Sequence, residues 1–489
     1  MPENINIKSD EIVWIARGQA VVEARQPINN DCKVLSASAT AVTTPSEVFA
    51  GEARYVGKTT FDCMVLVDGA VQCVTAVAEF SDKITSPQIT AGTAVTLIPE
   101  VINVEATIEN GTLKAVAVVD TAAVAVVDNE YACIAQPDDG IYAEKRTVSY
   151  STACADVSEI VYVTDSVGAP KITDVLFSAS RAIVTGAEAT DGEIKVSGAV
   201  YTFAAVKADD GTISSTRIVT PFVKSIAAPV HDGDTAFAYA HITDSSASLT
   251  TDGRIEVAAT VRLNATALTS AAAEVVTDVF CADNEILSTE QTLRCITVEP
   301  LTTIIDTVDG QVPIEADRLA ADNVLCVTGT FCTLTSAKIE NERVNVEGLV
   351  GGDIIYYNAE KNAVDALAFR LPFAMPLTNH TDATQVTAIA TVTDVNVKVR
   401  RESVFDIKAE VAFTLMLSSS SECECIASVE KGEELTRPDA SVIIHIAKAG
   451  ETLWQAAKAL CCSPERVQQQ NSATAPYSGG EKLINFCNK

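Results

Sequence analysis

Four histidines, His231, His241, His380 and His445, are the only imidazoles this chain has for acid–base work or metal binding. None lies in an HExxH pattern, and neither a GxSxG elbow nor a GxxxxGK[ST] phosphate loop occurs. His231-Asp232 with Asp234 is the nearest thing to an acid–base or metal set. Its Pro-Val-His-Asp-Gly context reads instead as a solvated turn. Asp306, Asp309 and Glu315 form a carboxylate run, which in an acidic chain reads as surface. Fourteen cysteines are scattered, and the close sets, Cys423-x-Cys425 and Cys461-Cys462, lack CxxC spacing and a nearby histidine pair. The expectation is reduced, mostly buried thiols, with late cross-linking of Cys461, Cys462 and Cys487 as the alternative. These residues predict a protein that is not an enzyme and has no cofactor, no metal and no catalytic residue.

The elements that could position a binding site are clearest at the end of the chain. Val442, Ile444 and Ile446 alternate as a strand, which places His445 on the opposite, solvated face. Thr452 can cap a helix whose apolar positions are Leu453, Ala456, Ala457 and Leu460. Ser463-Pro464 starts a second helix, Asn471 ends it, Gly479-Gly480 turn the chain, and Leu483-Ile484 lie in a closing strand. The order is β-α-α-β over residues 442–487. With the Gly450-Glu451-Thr452-Leu453-Trp454 run, Asn471 and Gly480-Glu481-Lys482-Leu483-Ile484, this segment resembles a LysM domain. Glu451 stands where the family usually has Asp, and Gly479-Gly480 where it has Pro-Gly.

The resemblance implies a binder of N-acetylglucosamine polymers such as peptidoglycan, or a protein-docking module. A sugar groove would run between the two loops that hold Gly450, Glu451, Thr452 and Ala475, Pro476, Tyr477. Backbone groups there would meet the N-acetyl groups, and Tyr477 could stack on a sugar. Trp454 reads as helix packing, and Cys461-Cys462 as an apolar surface suited to a protein partner.

The rest of the chain repeats itself. Residues 33–57, 174–198 and 323–348 align, each opening on Val-Leu and ending on glycine. Turn signals follow at Asp68-Gly69, Asp210-Gly211 and Lys361-Asn362, then Phe80, Phe222 and Phe373. Strand-turn-strand segments at 104–119, 247–261 and 397–411 keep the register through Gly111, Gly253 and Ser403. The period-2 pattern predicts a mainly β fold: three repeated antiparallel β domains, sandwich or partly open barrel, over residues 1–136, 137–284 and 285–430. A polar stretch from 418–421 through 430–438 reads as an exposed linker, with 431–441 between the third domain and the terminal module.

The opening Val-Leu, the strands ending at Gly198 and Gly348, the Asp-Gly turn and the Pro221-Phe222 and Pro372-Phe373 pairs make this unit resemble the SPOCS domain of endospore-forming bacteria. The first unit departs most, with Glu79 in place of the proline. Three such units ahead of a LysM segment resemble the spore-coat morphogenetic proteins. That resemblance implies a scaffold made in the mother-cell cytoplasm that gathers on the forespore surface or spore coat. Its implied partners are a coat ATPase of the stage IV sporulation protein A type and other coat proteins. Peptidoglycan or N-acetylglucosamine oligomers are the alternative ligand.

Composition narrows the partners further. The 489 residues carry a formal net charge of −30, which argues against nucleic acid and anionic membranes. The first residues show no basic n-region and no apolar h-region, and no apolar run is long enough for a membrane span. The expectation is a cytosolic chain without direct membrane insertion.

Overall fold

The computed structural model describes all residues except 1, 29–30, 92–93, 315–320, 359–360, 378–379, 401–403, 436–440 and 487–489; at 13–15 and 321–323 it describes only the backbone. Glu315, Ser403 and Cys487 therefore lie outside the described residues. So does the middle of the expected linker.

Alanine, valine and threonine in alternation give strands nearly throughout. The first lobe holds β1 (Glu3–Lys8), β2 (Glu11–Pro27), β3 (Cys32–Phe49), β4 (Glu52–Val67), β5 (Ala70–Thr85), β6 (Val95–Glu109), β7 (Thr112–Val127) and β8 (Glu130–Gln136). The second holds β9 (Ile141–Gly168), β10 (Ile172–Thr190), β11 (Glu193–Ala208), β12 (Ile213–Ala227), β13 (Thr235–Leu249) and β14 (Arg254–Cys281). The third holds β15 (Asn284–Val298), β16 (Thr302–Pro313), β17 (Ala321–Glu340), β18 (Arg343–Asn358), β19 (Ala363–Pro376), β20 (Gln385–Arg400) and β21 (Val404–Glu434). The terminal module holds β22 (Val442–Ile446), α1 (Leu453–Leu460), α2 (Pro464–Gln470) and β23 (Lys482–Phe486).

One strand order occurs three times. A meander, β3-β4-β5, faces a second antiparallel sheet, β2-β7-β6. The pattern returns as β10-β11-β12 with β13-β14-β9, and as β17-β18-β19 with β20-β21-β16. Between each pair of sheets sits an apolar core, built around Phe61 and Leu113, Val196 and Leu263, and Phe405 and Phe413 respectively.

Two local features recur at the register positions read from the sequence. The leucine of each Val-Leu opening is a β-bulge, skipped in the pairing between Val34 and Ser36, Val175 and Phe177, and Val324 and Cys326. A bulge leaves its residue unpaired and re-aims it. Leu35, Leu176 and Leu325 accordingly meet in one cluster shared by all three lobes, with Met64, Phe177 and Ile355. The second feature is a glycine–phenylalanine cross-strand pair: Gly57 opposite Phe80, Gly198 opposite Phe222, Gly348 opposite Phe373. Each ring lies over its glycine where a Cβ would stand.

Strands β9, β14 and β21 run 28, 28 and 31 residues, far longer than an ordinary strand. Their far ends form ribbons: β9 with β14, and β15 with β21, alongside the short β1–β8 ribbon. The three ribbons converge on a hub of Ile7, Cys133, Val148, Val275, Leu293 and Cys425. This corrects the reading of 418–434 as a linker. Ser418–Ser421 pair residue by residue with Val298–Cys295, and β21 continues as strand to Glu434. Glu422 and Glu424 alternate with buried Cys423 and Cys425, and Ile426 follows where the register with β15 shifts, so a stretch polar in composition still buries one face.

Candidate functional site

The terminal module is assembled around capped helices. Thr452 accepts from the Gln455 N–H and Gln455 reaches back to the Thr452 N–H, a complete capping box. Ser463 caps α2 ahead of Pro464. Asn471 ends α2 and joins it to β23: its Oδ1 accepts from the Ile484 N–H at 2.7 Å and its Nδ2 donates to the Ile484 carbonyl at 2.9 Å. Gly479 packs directly on Ala449, with a Cβ position 2.9 Å from the Ala449 nitrogen, and its φ of +101° suits glycine.

The six groove residues come together. The Gly450 N–H donates to the Tyr477 carbonyl at 2.8 Å, and the Tyr477 N–H to the Glu451 carbonyl at 3.1 Å. Their side chains take different roles. Thr452, Ala475 and Pro476 are exposed, whereas Tyr477 is only 2% exposed and belongs to the module core with Leu460 and Leu483. Tyr477 therefore fills the core and has no face free to stack on a sugar. Glu451 is also buried, bonded to the His445 ring at 2.7 Å and to the Lys448 N–H at 2.6 Å. Burial pushes its carboxyl up, but these two partners outweigh that and hold it below its ordinary range.

That Glu451–His445 pair inverts the expected facing of β22. Ile443 and His445 point inward with Leu483 and Asn485, and the alternating Val442, Ile444 and Ile446 point out. Ile444 and Ile446 are each 61% exposed, and Phe486, opposite Val442, is 51% exposed. The strand is too short for its apolar alternation to reveal which face the helices cover. Cys462 also departs from the sequence reading: it is buried in the core, leaving only Cys461 part-exposed.

Trp454 packs on helix α1's inner face but reaches further. Its ring meets Phe280 edge-on at 5.0 Å, and Phe280 stacks against Tyr142 at 5.0 Å. The Trp454 Nε1–H donates to Asp278 Oδ2 at 2.8 Å, and Lys458 Nζ lies 2.8 Å from Asp278 Oδ1. The module is thus seated on the outer end of the β9–β14 ribbon. Burial raises the Asp278 carboxyl, but the Lys458 ammonium and the indole N–H prevail and hold it below its ordinary value. A depressed carboxylate contributes stability above its unfolded value and loses it as pH falls through the folded one. The seat should therefore hold at neutral pH and weaken below about pH 3.8. Chemical denaturation of the full chain at pH 7 and pH 3 checks this, with Asp278→Asn as the control that loses the acid step.

A second concave space was not legible in the sequence. About 420 Å³ lies where the three lobes face one another. Beside the bulges at Ile102, Thr243 and Thr393, Glu100, His241 and Thr391 occupy matching places along its wall. Arg17 pairs with Asp120 at 2.6 Å, Arg181 donates to the Thr330 carbonyl, and Arg370 lies over the Phe331 ring. Burial pushes the Glu100 carboxyl up to about 7 and His241 down to about 4. No local motif marks these residues, because they lie on eight different strands.

Glu100 makes a signed prediction. A raised carboxyl favours the neutral acid in the fold, so stability is full below about pH 4.5 and falls as pH rises to about 7. Glu100→Gln should match the wild type at pH 4 and be more stable at pH 8, by about 1–3 kcal/mol. Denaturation at the two pH values tests it, and equal differences at both would contradict it.

The remaining candidates are plain. His231 is exposed in its turn, with its N–H donating to Asp234 at 2.8 Å. His380 is exposed between Glu342 and Asp382. Among the described residues no cluster of histidine, cysteine and carboxylate groups could hold a metal, and no helix is long and apolar enough to cross a membrane. Comparison of the chain with protein-family models, curated proteins and solved structures gives no match.

Proposed function

We propose that this chain is a non-enzymatic scaffold of spore-coat assembly, with three SPOCS-like lobes as its frame and a LysM-like terminal module that docks protein rather than glycan. It would work on the mother-cell side of the forespore surface. One observation carries the docking reading: the outward stripe of Ile444, Ile446 and Phe486, while the tyrosine of the sugar loop is spent in the core. Exposed apolar side chains gathered on one small face mark protein contacts. A coat ATPase of the stage IV sporulation protein A type is the first partner to test.

Ile444→Glu with Ile446→Glu should weaken capture of that ATPase by the full chain at least tenfold, measured by surface-immobilised binding. Both side chains are exposed, so the fold should persist, checked by circular dichroism. The competing ligand is tested on the same full chain by calorimetry with N-acetylglucosamine oligomers and soluble muropeptides. Micromolar binding, about −8 kcal/mol, would replace protein docking with a wall-anchoring role.

A further inference from the structure

Four cysteines meet in the hub where the three ribbons converge: Cys133 on β8, Cys295 on β15, and Cys423 and Cys425 on β21. The last two lie two residues apart on one strand and so share a face. The sulfurs of Cys133 and Cys425 are 3.2 Å apart. Both residues are fully buried, and they stand on ribbons that are not hydrogen-bonded neighbours. No three of these thiols converge as a metal site among the described residues. The close contact is therefore a thiol pair, and it joins the first lobe to the third.

We propose that Cys133 and Cys425 are an oxidative cross-linking site, which a peroxide converts into a disulfide stapling the first lobe to the third across the hub. A disulfide needs the sulfurs about 2.05 Å apart, roughly 1 Å closer than they stand. The chemistry balances in two steps. The Cys133 thiolate attacks peroxide, breaking the O–O bond, to give a sulfenic acid and hydroxide. The Cys425 thiol then displaces that hydroxyl, forming the S–S bond and releasing water. Peroxide is reduced by two electrons, and the thiol pair is oxidised by two. A small oxidant suits a covered site, where the amide of Gln291, itself part-exposed, lies 3.4 Å above the Cys133 sulfur.

Burial also holds the Cys133 thiol well above its ordinary range, with the Cys425 sulfur adding to the shift. Little thiolate exists at neutral pH, so the pair stays reduced until oxidant is sustained. Once formed, the link closes residues 133–425 into one loop and resists separation of the lobes.

The test uses the full chain. Hydrogen peroxide is applied at pH 7 and pH 9, remaining thiols are alkylated in denaturant, and digested peptides are weighed. The expected result is a 133–425 linked pair, two hydrogens lighter than its separate peptides, as the main cross-link among the fourteen cysteines. It should form roughly tenfold or more faster at pH 9. The oxidised chain should melt higher than the reduced one, and dithiothreitol should reverse the gain. The proposal is overturned if both residues stay as thiols, if Cys133 ends as a lone oxyacid, or if either pairs instead with Cys295 or Cys423. A 133–425 link that leaves the melting temperature unchanged overturns the staple. Cys133→Ala should abolish both the link and the peroxide-induced gain; if that variant misfolds, the wild-type mapping still decides.

Discussion

A chain carrying Gly198→Ala should lose about 3 kcal/mol or more of stability, and Gly348→Ala should behave alike. The Cβ added at Gly198 would stand 2.3 Å from the Ile183 carbonyl and 2.5 Å from the tip of Phe222. At Gly348 it would stand 2.5 Å from the Thr333 carbonyl and 2.8 Å from Phe373. In both cases backbone on one side and a core ring on the other leave no direction of retreat. The ring is not idle: Phe373 meets Phe413 edge-on across the third core, so displacing it disturbs the opposite sheet. Gly57 makes the comparison sharp. The three atoms nearest its added Cβ, from 2.3 Å, all belong to the Phe80 ring, which is part-exposed, and no backbone atom stands closer. Gly57→Ala should therefore cost about 1 kcal/mol. Chemical denaturation of the three variants gives the order, and a Gly198→Ala midpoint equal to wild type would show that the backbone relaxes.

The second large effect is expected from Trp454→Ala. Its ring fills the seam between the terminal module and Phe280, and its indole N–H holds Asp278. Removing a buried tryptophan costs about 3–5 kcal/mol, and here part of that loss falls on the seam. The module should detach from the β9–β14 ribbon, raising the radius of gyration in solution scattering and splitting the melting curve. Lys458→Ala removes only the half-exposed ion pair with Asp278, so it should cost under about 1 kcal/mol and leave the scattering unchanged. Equal effects from the two variants would place the seat on charge rather than on the aromatic stack.

The mainly β, antiparallel character of the chain was legible because alternation has a period of two and survives without any knowledge of partners. The caps Thr452 and Ser463 and the turns at Asp68-Gly69 and Asn110-Gly111 were equally local: each depends on a few adjacent residues and a backbone preference. Spacing also placed Gly198 and Phe222 in matching positions, though not against each other. The polar stretch ending β21 misled because its buried residues, Cys423, Cys425, Ile426 and Val429, are few and set among serines and glutamates.

What only the tertiary structure decided is which face of a short strand is inside and which lobes meet. Val442, Ile444 and Ile446 look like a core stripe until α1 and α2 cover the other face of the sheet with Ala456, Ala457, Leu460 and Val467. Tyr477 looks like a ligand platform until the loop closes over it. Glu100, His241 and Arg181 become neighbours of one cavity, and Cys133 and Cys425 of one contact, through pairings hundreds of residues apart. The sequence by itself determined the strands, the turns and the caps, because those follow from local backbone and side-chain preferences. The hub, the cavity and the seat of the terminal module depend on how separate antiparallel sheets pack on one another, and that information has no local period to read.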